Sequence, residues 1–174
     1  WGRDMSNLIH LRGIYEPYNF SRKVIGFTVN EDSIKLQKED GVMDEAKLKI
    51  LGIPPSPDYY TQYLNPLLEC QEKQSPLSHI RRFELIAGNP CQTVPKYFQE
   101  NPDSIIALAY FSFNLYHPTK IGLEAIRNRL TKGSILVFNE LNEPFFPGET
   151  KALQEVFGLG RYSIRRVSYD PQVA

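Results

Sequence analysis

The sequence predicts a parallel α/β fold, and three observations carry that prediction. The first is the stretch from Ile105 to Leu141, IIALAYFSFNLYHPTKIGLEAIRNRLTKGSILVFNEL. It reads as an apolar strand, a short polar turn, an amphipathic helix, a Lys-Gly turn and a second apolar strand. The second is that two further short strand-like runs, KVIGFTV from Lys23 to Val29 and FELIA from Phe83 to Ala87, alternate with helical stretches. Strands alternating with helices argue a parallel sheet. The third is the placement of polar residues. Ser112 and Asn114 close one strand of the central stretch, and Asn139 and Glu140 close the other. In an open parallel sheet, ligands bind outside the carboxyl ends of the strands.

The elements follow in order. Asp4 to Leu11 can form a short helix, with Leu8 and Leu11 at i, i+3 and Gly13 to end it. Tyr15 to Ser21 is a turn-rich loop before the first strand. Asn30 to Pro57 is polar and reads as a long surface excursion with a helical turn around Asp44–Leu51; loops of that length are commonly lids or disordered segments. Asp58 can cap a helix through about Lys73, which Pro66 should kink or split. Gly88-Asn89-Pro90 ends the FELIA strand. Thr93 to Glu100 is a short helix with Pro95 in its first turn, and Asn101-Pro102 breaks it. The central helix is predicted over Pro118–Leu130 with Pro118 at its first position, and the strand after it over Ser134–Phe138. Glu143 to Gly148 is a loop, Glu149 to Phe157 a helix, and Tyr162 to Tyr169 a final strand.

With 174 residues, 41% hydrophobic and 23% charged, the chain has the make-up of one globular domain with a real core. Net charge is zero, so nothing electrostatic argues for nucleic acid or an anionic membrane. Arg81-Arg82 and Arg165-Arg166 read as solvated faces. No apolar run approaches the ~18 residues of a spanning helix. Cys70 and Cys91 lack metal-ligand spacing and read as reduced, partly buried thiols, which fits a cytoplasmic protein.

Several residues can carry chemistry. Glu140 is the one carboxylate among the four strand-tip residues and can act as base or metal ligand. Ser112, Asn114 and Asn139 can orient a substrate but suit Mg²⁺ poorly, because hard cations prefer carboxylates. His117, after Tyr116, reads as a solvent-facing residue at a helix start or as a second candidate base. Gly88-Asn89-Pro90 is a generic turn signal and reads first as an ordinary strand-ending turn; Gly88 also permits close approach, and Asn89 offers both a donor and an acceptor to a base. Phe145-Phe146 suits either an apolar lid or a core plug. There is no phosphate-binding Gly-rich loop and no nucleophile elbow.

These residues, with Trp1-Gly2-Arg3-Asp4, LRGIYEPYNFSRKVIGF, FELIAGNP, ALAYFSFNLYHPTK, RLTKGSILVFNELNEPFFPGET and EVFGL in that order, resemble the macrocin O-methyltransferase (TylF-like) family of class I S-adenosylmethionine-dependent methyltransferases. The resemblance implies a Rossmann-like α/β sheet, mostly parallel with a reversed last strand. It also implies a first strand that precedes the residues matching Trp1-Gly2. It implies methyl transfer from S-adenosylmethionine to a hydroxyl on a small acceptor, often a sugar or natural-product scaffold. Gly2 and Arg3 would lie near the cofactor's methionine end, Thr28 near its ribose and Gly88-Asn89 near its adenine. Ser112, Asn114, Tyr116 and Asn139 would line the acceptor side, with Glu140 or His117 as the base.

The chain departs from the family where the metal would bind. Ser112-Phe113-Asn114 stands for the usual Asp-x-Asp, and Asn139-Glu140 for an acidic pair, so Glu140 is the surviving metal position. Replacing Asp by Asn removes charge and an acceptor oxygen, which puts Mg²⁺ in doubt. The alternative expectation is a non-catalytic relative that keeps the fold as a binding or scaffold module. Whether the chain forms a homo-oligomer is open at this level.

Overall fold

The structure, a computed structural model, describes residues 2–28, 37–41, 59–166 and 168. The chain divides into two compact units. One comprises Trp1–Asp32 and Gly52–Asn89, the other Ser33–Leu51 and Pro90–Ala174.

The first unit holds helix α1 (Arg3–Tyr15), strand β1 (Val24–Phe27), a single π turn (Tyr59–Leu64) that runs into α2 (Asn65–Glu72), and strand β2 (Phe83–Ile86). The two strands are parallel, in register from Val24↔Phe83 to Phe27↔Ile86. Its core is Met5 and Ile9 of α1, Leu64 and Leu68, and Phe83, with Val24 and Leu85 packed against them. Helix α1 lies so close on β1 that a Cβ at Gly26 would stand 2.5 Å from Met5 Sδ.

The sequence ended α1 before Gly13, but the helix runs on to Tyr15. A helical glycine costs only about 1 kcal/mol relative to alanine, and Arg12 beside it is buried and anchored. The break expected at Pro66 is present. The π turn ends at Leu64, and Pro66 sits in the first turn of α2, where no N–H is needed. The expected cap Asp58 and the Asp44–Leu51 turn fall outside the described residues.

Arg82, Glu72 and Arg12 form a buried ionic cluster. Glu72 Oε1 accepts from Arg82 Nη2 at 3.0 Å, and its Oε2 accepts from Arg12 Nη2 at 2.5 Å. Two further donors go to main chain, Arg12 Nη1 to Arg82 O and Arg82 Nη1 to Asn19 O, and Arg82 Nη2 also donates to the Ser75 hydroxyl. The Arg81-Arg82 pair is therefore split. Arg81 is exposed as a solvated residue should be, whereas Arg82 is fully buried.

The second unit holds a 3-10 turn (Lys38–Asp40), α3 (Pro90–Glu100), β3 (Ile106–Phe111), α4 (Tyr116–Ile126), β4 (Leu130–Phe138) and α5 (Gly148–Val156). A 3-10 turn, Arg127–Arg129, joins α4 to β4. Strands β3 and β4 are parallel, ending in register at Phe111↔Phe138. Those two rings stack at 5.1 Å. Leu123, Ile126, Leu153 and Val156 bury the helices' inner faces.

Three element starts and one expected strand also differ from the sequence reading. Helix α3 starts at Pro90 rather than Thr93, which leaves Pro95 in its interior. Pro95 cannot donate to the Cys91 carbonyl, but the buried Val94 and Phe98 face holds the helix together. Helix α4 starts at Tyr116 rather than Pro118, because a side chain distant in sequence caps it. Strand β4 starts at Leu130, not Ser134, with a register shift opposite Ile106/Leu108. The expected final strand does not form over its described part. Residues 162–166 are exposed, belong to no strand and bury no face; Val167 and Tyr169 lie outside the described residues. No antiparallel pair, and so no reversed strand, occurs among the described residues.

No helix among the described residues is long and apolar enough to cross a membrane. Cys91 is half-buried as expected, but Cys70 is exposed because it lies on the outer face of α2.

Candidate functional site

The second unit brings the strand-tip residues together. Chain leaves β3 at Phe111 and β4 at Phe138, and the N–H of Asn139 still bonds the Phe111 carbonyl at 3.0 Å. Ser112 to Asn114 and Asn139-Glu140 are thus neighbouring turns at one sheet edge. Asn114 turns the chain through the left-handed region, φ 57°. Asparagine tolerates this conformation better than most residues. Its Oδ1 is buried and accepts no hydrogen bond among the described residues. The Asn139 side chain bridges outward, with Oδ1 accepting from Tyr110 Oη at 3.3 Å and Nδ2 donating to Glu140 Oε1 at 3.3 Å.

Two buried carboxylates that the sequence reading missed hold these turns. Glu149, the second residue of α5, is fully buried. Its Oε1 accepts from the N–H of Phe113 and of Asn114, both at 3.1 Å, and its Oε2 from the N–H of Glu140 at 3.2 Å. Burial pushes its pKa up to about 7. The N–H groups of Asn114, Glu140 and Phe113 pull the other way, and the neighbouring Glu140 charge adds to the rise. Asp40, also buried, accepts from the N–H of Tyr116 at 2.5 Å and so caps α4. In the sequence Glu149 is an ordinary acid in the first turn of a helix, and Asp40 one acid in a charged stretch. The one local signal was Gly148. A Cβ there would lie 2.5 Å from Tyr116 N and 2.8 Å from Asp40 Oδ1.

Ser112 is exposed just beyond β3, and His117 is half-buried in the first turn of α4. Tyr116 is not part of the strand-tip group through its hydroxyl. That hydroxyl donates to Glu155 Oε2 at 2.7 Å and accepts from Lys120 Nζ at 2.9 Å. Glu155 lies six positions beyond Glu149 on α5, about 9 Å along a helix. The Glu155 and Tyr116 bonds raise the Lys120 pKa, and the Lys120 bond lowers that of Glu155. Phe145 and Phe146 divide the two roles read for them, Phe145 being exposed and Phe146 buried.

The cofactor-side candidates all fall in the first unit. Gly2 sits at the N-terminus of α1 with φ 84°, and Arg3 follows it, exposed. Thr28 ends β1. It is buried, and its hydroxyl donates weakly to Ile86 O at 3.4 Å. Gly88, φ 131°, and the half-buried Asn89 follow β2. Thr28 and Gly88-Asn89 therefore stand side by side at the carboxyl ends of a parallel pair, where a nucleotide binds in such sheets. A glycine with left-handed φ and an amide offering donor and acceptor fit an adenosyl group. The acceptor-side residues do not fit Mg²⁺. They present one carboxylate, and no group of three His, Cys, Asp or Glu that could hold a metal occurs among the described residues.

Comparison with solved structures sharpens this. The calicheamicin methyltransferase CalS11 superposes with a TM-score of 0.87 and 39% identity over 99% of this chain. The chain has the fold of a methyltransferase. The apo structure of CalS11, described as a TDP-rhamnose 3'-O-methyltransferase of calicheamicin biosynthesis, matches with a TM-score of 0.79 and 38% identity, again over 99% of this chain. The chain spans 66% of the length of each of these structures. No protein-family profile and no curated protein matches it.

Proposed function

We propose that the chain is an S-adenosylmethionine-dependent O-methyltransferase whose acceptor is a small hydroxylated, sugar-like molecule. The observation that carries this is the 39% identity to a sugar O-methyltransferase along nearly the whole chain, with the fold preserved. The order of motifs supports placing it among the TylF-like members of class I. The match to methyltransferases implies the cofactor, and the residues at the ends of β1 and β2 suit it.

Bound S-adenosylmethionine supplies an electrophilic methyl on a sulfonium. The chain's part is to hold an acceptor hydroxyl in line with it and to take the hydroxyl proton. Gly88 and Asn89 would hold the adenine and Thr28 the ribose, with Gly2 and Arg3 at the methionine end. On the acceptor side, Ser112, Asn114 and Asn139 offer neutral hydrogen-bonding groups, and Glu140, beside the Asn139 amide, would accept the proton; His117 is the second candidate. The methyl that the cofactor would supply goes to the acceptor oxygen, and the proton that oxygen loses would go to Glu140. Orientation of this kind accounts for a large share of rate in methyl transfer. No step is assigned to Mg²⁺.

A second reading has a specific observation behind it. Three of the four strand-tip positions are neutral, as in a relative that binds without catalysing. Calorimetric titration with S-adenosylhomocysteine, followed by a methyl-transfer assay on TDP-rhamnose-type acceptors, separates the two. Micromolar binding with transfer supports the enzyme; binding without transfer to any sugar acceptor supports the non-catalytic module. Failure of a folded sample to bind refutes both. Mg²⁺ titration of the triple variant Ser112→Asp, Asn114→Asp, Asn139→Asp tests the acceptor side separately. Gain of Mg²⁺ affinity over the wild type is expected, and a folded variant without it would refute the grouping of these positions.

A further inference from the structure

Burying a carboxylate without a cation is costly, and Glu149 is buried with no cation in contact among the described residues. Its hydrogen bonds among those residues all come from main-chain N–H groups. Those groups belong to two separate turns, one after β3 and one after β4. Both turns leave a strand end, where main-chain donors lose their ladder partners and must find others. Ordered water or a neutral side chain could satisfy one turn. A single carboxylate, planar and with two oxygens, satisfies both and sets their separation. The β3 turn it grips is the one with Asn114 at φ 57° and a buried Oδ1 that has no partner among the described residues. The β4 turn carries the only carboxylate of the strand tips.

We infer that Glu149 is the positioning residue of the acceptor side: by clamping the Asn114 and Glu140 turns to one another, it sets the Asn114 oxygen and the Glu140 carboxylate at a fixed spacing around one acceptor hydroxyl. Glu149 touches no reacting atom. Its role in catalysis rests on the methyltransferase reading, whereas the clamp itself does not.

Two variants of the full chain test this. Glu149→Gln keeps the volume and one acceptor oxygen, and Glu149→Asp keeps the charge with a shorter reach. Amide hydrogen exchange is followed by NMR, and methyl transfer by initial rates. In Glu149→Gln, exchange at Glu140, or at Phe113 and Asn114, should speed by about tenfold or more while the inner amides of β3 and β4 stay protected. The rate constant kcat should fall about 10- to 100-fold, with S-adenosylhomocysteine affinity within about twofold of wild type. Glu149→Asp should recover part of both losses. The buried Ile126→Val on α4 serves as the stability control, and its kcat should stay within about twofold of wild type. Unchanged exchange at all three amides overturns the clamp. Equal losses of kcat in Glu149→Gln and Ile126→Val overturn the positioning role. A wild-type chain that binds but transfers nothing to any acceptor removes the methyltransferase reading, and the exchange result alone then decides for or against the clamp.

Discussion

The two units bury charge in opposite ways. In the first, Glu72 lies between two arginines, and the charges satisfy one another. In the second, Glu149 and Asp40 are buried against neutral main-chain donors. An ionic cluster of the first kind ties helices and strand together by Coulombic attraction that depends on every member. Carboxylates of the second kind organise backbone, and for Glu149, which has no cation in contact among the described residues, burial raises the pKa. The first arrangement secures a scaffold; the second shapes turns at a strand edge, where ligands bind.

The largest expected effect comes from breaking the first arrangement. Arg82→Met leaves Glu72 with one partner in a buried site and should cost about 3–5 kcal/mol, read as a lower urea midpoint. A loss below about 1 kcal/mol would mean that the cluster is better solvated than its burial implies.

The second arrangement predicts a pH effect. Glu149 has its pKa raised from 4.5 to about 7 in the fold, so the folded chain binds more protons than the unfolded chain between those values. Stability should therefore fall as pH rises from about 4.5 to about 7 and level off above, by at most about 3 kcal/mol. Chemical denaturation at a series of pH values checks this, and Glu149→Gln should flatten the profile over that window. An unchanged slope in the variant would assign the titration elsewhere.

Gly148→Ala probes the same region by volume. Its Cβ would meet the Tyr116 nitrogen and Asp40 Oδ1, and neither can retreat without losing the cap on α4. A loss of about 1–3 kcal/mol is expected, with thermal unfolding as the readout. The smallest effect should be at Asn114. Asn114→Ala must hold φ 57° without the asparagine's tolerance and should lose about 1 kcal/mol, whereas Asn114→Gly should hold its stability; equal losses in both would point to the side chain rather than the backbone.

The same contrast explains what was legible in the sequence. The elements from Ile105 to Leu141 and the two β1 and β2 runs follow from local hydrophobic pattern, and the four strands overlap the runs that pattern marks, although β4 begins four residues before Ser134 and the strand expected from Tyr162 does not form over its described part. The break at Pro66 follows from the chemistry of proline. The strand tips were legible too, because where a strand ends is a local property. Arg82 was not. Arg81 and Arg82 look alike in sequence, and only the placement of Glu72 makes one of them interior. Glu149 and Asp40 escaped for the same reason: apart from the Gln37 N–H that Asp40 also accepts, their partners lie 9 to 76 positions away and are main-chain groups that leave no trace in side-chain pattern. Helix α4 begins early because of one such partner. The departures at Arg82, Glu149, Asp40 and the start of α4 thus share one cause, a charge supplied by distant chain.

The register shift in β4 has a practical reach. Leu130 pairs with Ile106 and Ile135 with Leu108, so residues 131–134 step out of the ladder before the strands rejoin. Ser134 Oγ closes that excursion by donating to Ile106 O at 2.6 Å and accepting the Thr131 N–H at 2.8 Å. Thr131, Lys132 and Gly133 are exposed, and Gly133 has open space around it. Extra chain length inserted here is absorbed at the opposite end of the strand from Asn139 and Glu140. The excursion is therefore a natural port for a fluorescent label or a short peptide graft, one that would let the second unit be watched or tethered while the turns at Asn114 and Glu140 keep their alignment.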